Sequence, residues 1–484
     1  MITITRRLAA NLKAVLRRAF GARGHGPAVC FTAAAGALTV KASSHDIAVE
    51  YSEPGDSTAD AIWLPFQFLD DCAGKQDEPV HVESGKKHVT AQWRDGSVPQ
   101  LVRYDAAKPR NADSFPVLPE TFAENSPGIL QALADAGDTC DPDSVRFALG
   151  HLQLRGKQGT IVATDGRQLL VQNGFQLPWD GDILVPHSKV FASAELPHDQ
   201  PVRVGKTGDW VAISVGRWVI YLAVNVDGRF PDVLRHIPQA DAAKARCSFS
   251  QADAKFLVET LPRLPCNDDY NRPVTLDLNG QIAVRAKGLD NARPTEVVLT
   301  QSSRTGEPIR LNVNRLYLAR ALRLGLRDVL FTGDQTAILG FDATRQYVLM
   351  PLESKSAIPP AKNAIRIESP GTNSENPAPQ PQTERKVSPV PEPITNSNGN
   401  TPTNGHAKTN GRTKHNGEAR NGAARKPGQN IDGLIRQAEA LRTSLRDTLL
   451  KNKDLLNALK QHRRQNRAVQ STLASLRQLK TLGV

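Results

Sequence analysis

The chain repeats itself. Ile62-Trp63-Leu64-Pro65, Ile183-Leu184-Val185-Pro186 and Ile309-Arg310-Leu311-Asn312 each follow a polar turn and precede a helix-like stretch (FQFLDDCAGK, HSKVFASAEL and VNRLYLARALRLG), at spacings of 121 and 126 residues. Alternating strand patterns recur upstream at Leu38–Ala42, Thr160–Thr164 and Gln281–Arg285. Strand pairs recur downstream at Val80-His81-Val82 with HVTAQW, at Val202-Arg203-Val204 with WVAISV, and at Asp328–Phe331 with TAILGF. Each unit also opens on a helical stretch: TRRLAANLKAVLRRAF, SPGILQALADAG and SQADAKFLVETLPRL. A period of this size exceeds the ~20–45 residues of solenoid repeats and is too rich in strands for a helix bundle. It predicts three similar α+β domains, 1–120, 121–240 and 241–354, joined edge to edge into an arc or ring.

Composition separates this body from the C-terminal residues. The 484 residues carry a formal charge of +12, yet residues 1–354 sum to −1 and residues 355–484 to +13. From 355 to 429 the chain is rich in Pro, Asn, Gly, Ser and Thr and reads as a disordered linker, because it cannot bury enough apolar area to offset its ordering entropy. From 430 to 484 a heptad-like series returns (Leu434, Ala438, Leu441, Leu445, then Leu455, Leu459, Val469, Leu473 and Leu476) with Arg and Lys between its members. That segment predicts a basic coiled-coil-like helix, which either binds DNA or carries an ordinary solvated face. Five widely spaced cysteines without a C-x-x-C pair argue against a disulfide framework and a zinc site, and read as reduced thiols. No apolar run of ~18 residues is present to span a bilayer, and the start lacks a secretory signal pattern, so a cytoplasmic protein without membrane contact is expected.

The specific strings are Val145–Leu149, Ala163-Thr164-Asp165-Gly166-Arg167-Gln168-Leu169, Ile183–Pro186, Val226–Asp232, Ile237-Pro238 and Tyr347-Val348-Leu349-Met350-Pro351-Leu352. In order and spacing they resemble the bacterial DNA polymerase III β sliding clamps over residues 1 to about 354. The resemblance implies three clamp domains per chain, helices inside and antiparallel sheets outside, and a head-to-tail homodimer closed around double-stranded DNA. It also implies a processivity factor that takes DNA polymerase and the clamp loader as partners. No P-loop, G-x-G-x-x-G or metal-spaced His cluster is present, so no catalytic residue, cofactor or metal is expected.

A clamp needs phosphate contacts without base readout. The first helix offers Arg6, Arg7, Lys13, Arg17 and Arg18 with the nearby Arg23, and the last-domain helix offers Arg315, Arg320, Arg323 and Arg327. The middle-domain helix is acidic instead, a misfit to a uniformly basic lining. In such clamps partners insert a short peptide into an apolar cleft. The matching positions here are Thr164, Asp165, Gly166, Arg167, Gln168 and Leu169, Pro238, and Val348, Met350, Pro351 and Leu352. Arg167-Gln168 stands where family members usually have His or Tyr followed by Arg, and Glu353 stands where a basic residue commonly ends the chain, so partner choice at the rim is open. The competing reading is a divergent clamp-like paralogue, a DNA-binding scaffold acting through its basic C-terminal tail.

Overall fold

The computed structural model describes residues 1–371 except 22–25, 56–59, 86–87, 108–114, 143, 145–147, 269 and 290. Arg23, Val145-Arg146-Phe147 and the whole coiled-coil-like segment therefore lie outside the described residues. The expected period of about 120 residues resolves into half-units of one strand, one helix and three strands. The first is β1 (Ile2–Thr5), α1 (Arg6–Phe20), β2 (Val29–Ala34), β3 (Ala37–Ser43) and β4 (Ile47–Pro54). The second is β5 (Asp60–Leu64), α2 (Gln67–Cys72), β6 (Pro79–Ser84), β7 (His88–Asp95) and β8 (Val98–Asp105). The third is β9 (Phe122–Asn125), α3 (Gly128–Gly137), β10 (His151–Arg155), β11 (Thr160–Thr164) and β12 (Gln168–Asn173). The fourth has β13 (Asp182–Pro186), only a 3-10 turn at Lys189–Ala192, then β14 (Val202–Thr207), β15 (Trp210–Val215) and β16 (Trp218–Ala223). The fifth is β17 (Ala245–Ser248), α4 (Gln251–Thr260), β18 (Pro273–Asp277), β19 (Ile282–Ala286) and β20 (Thr295–Leu299). After β21 (Ser303–Gly306) comes the sixth: β22 (Arg310–Asn314), α5 (Arg315–Arg323), β23 (Asp328–Phe331), β24 (Ile338–Phe341) and β25 (Arg345–Leu349).

The helices form for local reasons. In α1 the apolar residues Leu8, Ala9, Leu12, Val15, Leu16 and Ala19 make one buried stripe. The Thr5 hydroxyl accepts the Leu8 amide at 3.1 Å, which caps the start, and Gly21 ends the helix at φ +61°. HSKVFASAEL does not make the expected helix. Ser188 caps a single 3-10 turn by accepting the Val190 amide, the turn ends at Ala192, and Pro197 follows.

The half-units pair into sheets that cross domain boundaries. The order β5-β2-β3-β4-β16-β15-β14-β9 joins the first domain to the second, and β13-β10-β11-β12-β25-β24-β23-β17-β21 joins the second to the third. Both seams are antiparallel, Trp218 lying opposite Tyr51 in one and Leu170 opposite Tyr347 in the other. Two sheets stand at the ends of the series. One is β1-β6-β7-β8, and the other is β22-β18-β19-β20 extended by a further strand, β26 (Ile365–Glu368). That strand corrects the expected linker. Its first residues fold onto the third domain through a 3-10 turn at Ser354–Ser356 and the parallel β20·β26 pair, so the placed body extends to about residue 370. Moving the boundary changes the charge argument little, because residues 372–484 still carry +11.

Three of the five cysteines are buried and the other two partly so. Burial pushes the thiols of Cys72, Cys140 and Cys247 up to about 12, which keeps them protonated and unreactive. No described helix is long and apolar enough to cross a membrane.

Candidate functional site

The β11–β12 hairpin turn builds one wall of a cleft. The Asp165 carboxylate accepts the amides of Arg167 at 2.8 Å and Gln168 at 2.9 Å, and Thr164 Oγ1 accepts the Gly166 amide at 3.0 Å while donating to the Gln168 carbonyl. Gly166 sits at φ +86°, a conformation that L side chains resist. The opposite wall is β25 and its exit. Leu169 faces Val348 across the seam, and the Met350 amide donates to the Arg167 carbonyl at 2.9 Å.

Together Thr164, Gly166, Arg167, Gln168, Leu169, Val348 and Met350 enclose a cleft of about 250 Å³ with Val233 and His236. Its floor is a small apolar cluster separate from the domain cores, comprising Val162, Leu169, Val171, Leu330, Leu339 and Val348, roofed by Phe230, Val233, Leu234 and Ile237. The space is below the ~300–1,000 Å³ of small-molecule sites and suits single side-chain anchors of a peptide. Met350, 44% exposed, stands at the mouth.

Some expected cleft residues lie beside the cavity instead. Asp165 is spent on the turn and on a 2.9 Å hydrogen bond from Tyr317 of α5. Burial, then the neighbouring Asp165, pushes the Tyr317 phenol well above its ordinary value, so it remains a donor. Leu352 turns away to pair with Asn312 of β22, and neither Pro351 nor Pro238 lines the space. Two of the unusual rim residues, Arg167 and Gln168, are tied down. Arg167 donates to Asn271 at 3.0 Å and lies over the Tyr270 ring at 4.9 Å, while buried Gln168 donates to Asp165 and accepts from Tyr347. Val233 and His236 were missed because they come after the Phe230-Pro231 turn, where no periodic pattern marks a face.

The expected basic helix face splits in two. Arg6 is buried and hydrogen-bonded to the carbonyls of Cys72, Ala73 and Arg94, with ion pairs to Glu78 and Asp95. Arg315, 2% exposed, donates to the carbonyls of Leu261, Leu264, Pro265, Arg272 and Pro273. Neither can reach a phosphate, so both leave the DNA-binding set. Arg320 leaves it too. Its side chain is 12% exposed and donates to the Asp135 carbonyl beside an ion pair to Asp138 at 3.7 Å. That contact ties α5 to the end of α3, through the Asp135 backbone carbonyl and the Asp138 carboxylate just beyond the helix.

Arg7, Arg17, Arg18, Arg323 and Arg327 are exposed and Lys13 half-buried. Arg7 pairs with Asp77 at 3.1 Å, Lys13 and Arg17 share Asp70, and Arg18 donates to the Ala192 carbonyl. Surface pairs of this kind are worth little and yield readily to a phosphate. Lys189, Lys255 and Arg263 add exposed cations on helical segments that sequence reading passed over, each being isolated rather than in a cluster.

No protein-family model matches the sequence, and no curated protein matches it. Solved structures do. The DNA polymerase sliding clamp of Pseudomonas aeruginosa superimposes with a TM-score of 0.59 at 19% identity, covering 73% of this chain and 99% of that one. The DNA polymerase III β chain of Streptococcus pneumoniae TIGR4 gives 0.61 at 15% identity over 72% and 99%. A putative DNA polymerase III β subunit of Eubacterium rectale gives 0.59 at 12% identity over 72% and 99%. The likeness spans these proteins almost from end to end, and it leaves over a quarter of this chain outside it. The body of this chain therefore has the fold of the bacterial DNA polymerase III β sliding clamps.

Proposed function

We propose that the chain is a sliding clamp, a non-catalytic processivity factor whose protomers close head to tail into a ring on duplex DNA. The observation that carries this reading is the edge-to-edge seam used twice within one chain. A module that extends its sheet through β4·β16 and again through β12·β25 is suited to continue the same geometry into a second copy. Exposed Arg7, Arg17, Arg18, Arg323 and Arg327, with Lys13, supply phosphate contacts that do not read sequence. The cleft at Leu169, Val348 and Met350 takes an apolar anchor of a partner peptide, such as one from DNA polymerase or the clamp loader.

Primer extension on a singly primed circular template tests this reading. With the clamp loader and the cognate polymerase, the protein is expected to lengthen products at least tenfold under single-encounter conditions. Unchanged product length would overturn it. The scaffold reading draws its support from the +11 charge of residues 372–484. It expects DNA binding to collapse when that segment is removed, whereas the clamp reading expects polymerase stimulation to survive.

A further inference from the structure

Both seams in the body have one form. The fourth strand of a β5-β2-β3-β4 type sheet meets the fourth strand of a β9-β14-β15-β16 type sheet in antiparallel register, as β4 meets β16 and β12 meets β25. By the same rule β20 is the fourth strand of the first kind and β8 the fourth of the second. Among the described residues β8 is the outer strand of its sheet, with Val98 55% and Leu101 61% exposed. A second copy's β8 is thus the occupant that the repeat assigns to the β20 edge. That edge is already covered. β26 lies on it in parallel register, Thr295 opposite Ile365 and Val297 opposite Ile367, unlike either seam.

The segment reaching that edge crosses the whole sheet. The Leu352 amide donates to the Asn312 carbonyl of β22, and Asn312 Nδ2 donates to Ser356 at 2.8 Å. The Ile358 amide donates to Thr275 of β18 at 2.8 Å, and its carbonyl accepts from Arg285 of β19. Beneath this strap lie the buried Asp277 and Arg285, paired with each other and with Arg310 and Glu296. At β20 the Ile365 and Ser369 amides take the outward carbonyls of Pro294 and Val298, both at 2.9 Å, and Ser369 bonds Thr300. Those carbonyls are the groups an incoming strand would use.

We infer that the strap at residues 352–370 is a built-in competitor of self-association, its β26 occupying the edge where β8 of a second copy docks. The inference rests on the clamp reading. β26 is suited to reversible occupancy. All four of its residues are exposed, so it buries little apolar area, whereas the internal seams pack Tyr51 against Trp218 with ring centroids 4.7 Å apart and bury Leu170 and Tyr347. Its advantage is tethering, which places it at an effective concentration on the order of millimolar. A partner strand prevails once protein concentration or a bound partner offsets that advantage.

The test is sedimentation velocity of the full chain over a concentration series, with Ile367→Pro breaking the middle of β26. The dimer dissociation constant is expected to fall at least tenfold. A peptide of residues 362–371 added in trans should restore wild-type behaviour, and adding Leu101→Asp in β8 should cancel the gain. The double variant Ile365→Gly/Ile367→Gly, with cooperative unfolding checked for each protein, guards against a proline-specific defect. Unchanged self-association in both strap variants overturns the inference, as does a gain that Leu101→Asp leaves intact. If association is unchanged and the wild type is still retained on nicked circular DNA, the strap inference falls and the clamp reading stands. If no variant self-associates at any concentration, both fall.

Discussion

Arg6 and Arg315 open α1 and α5, and both are sealed beneath carbonyl oxygens, whereas Arg7, Arg17, Arg323 and Arg327 on the same helices or just beyond them reach solvent. Helical phase explains the burial of Arg315, and position in the first turn explains that of Arg6. Arg315 shares its stripe with Leu318, Ala319 and Leu322, three, four and seven residues on. Arg6 lies instead on the face of Lys13 and Arg17, seven and eleven residues on, and is buried because the first turn of α1 meets the carbonyls of Cys72, Ala73 and Arg94. A guanidinium on the apolar stripe has five donors to place and finds backbone carbonyls at chain turns. One on the opposite stripe stays available. The same residue type at neighbouring positions therefore sits in two settings, holding strand ends together in one case and standing open to solvent in the other, where the proposed phosphate contacts would be made.

Four substitutions press on that division. Arg315→Ala should have the largest effect, a loss of about 3 kcal/mol in denaturant unfolding, since it leaves several buried carbonyls unpaired. A loss below ~1 kcal/mol would erase the distinction between the two sets. Asp277→Asn should come next, at about 2 kcal/mol near neutral pH, because Arg285 and Arg310 lose a buried counter-ion.

The Asp277 prediction has a pH signature. Burial alone would raise the Asp277 carboxyl, but hydrogen bonds from Arg285, the Asn279 amide and Arg310 hold it below the ordinary carboxylate range. Its stabilisation is full above the unfolded value of ~3.9 and is lost as pH falls through the lower folded value. The wild type should thus lose its advantage over Asp277→Asn below about pH 4. A stability difference that is flat between pH 6 and 2.5 would contradict this assignment.

Met350→Glu should leave unfolding within ~0.5 kcal/mol of wild type and weaken binding of a clamp-binding peptide at least tenfold, about 1.4 kcal/mol, in a fluorescence titration. Arg323→Ala should have the smallest effect on stability, again within ~0.5 kcal/mol. It should lower the slope of log affinity for DNA against log salt by about 1. An unchanged slope removes Arg323 from the phosphate-binding set.

Strand positions were readable because period-two alternation and the 121- and 126-residue spacings reinforce each other. Val80–Val82, Thr160–Thr164 and Asp328–Phe331 all fall within strands of the fold. The heart of the cleft was named from the family resemblance and not from periodicity, and the fold sets Leu169 opposite Val348 across a seam. What failed had a tertiary cause. The turn role of Asp165 is legible in the Asp165-Gly166 pair, but its hydrogen bond from Tyr317 is not, because that partner is 152 positions away. The strap was hidden by composition. AIPPAKNAIRIESP reads as linker, and it becomes a strand only because β20 presents an edge to it. The phase of Arg315, by contrast, is present in the helical pattern with Leu318, Ala319 and Leu322, whereas the burial of Arg6 depends on the carbonyls of Cys72 and Arg94, far along the chain.

Encirclement is a topological property, and retention on DNA of two topologies measures it most directly. Loaded by the clamp loader onto a nicked circle and onto the same DNA made linear, then passed through a sizing column at a salt concentration that strips loosely bound protein, the chain should remain on the circle and leave the linear form. Equal retention on both, or on neither, would contradict a ring that encircles the duplex.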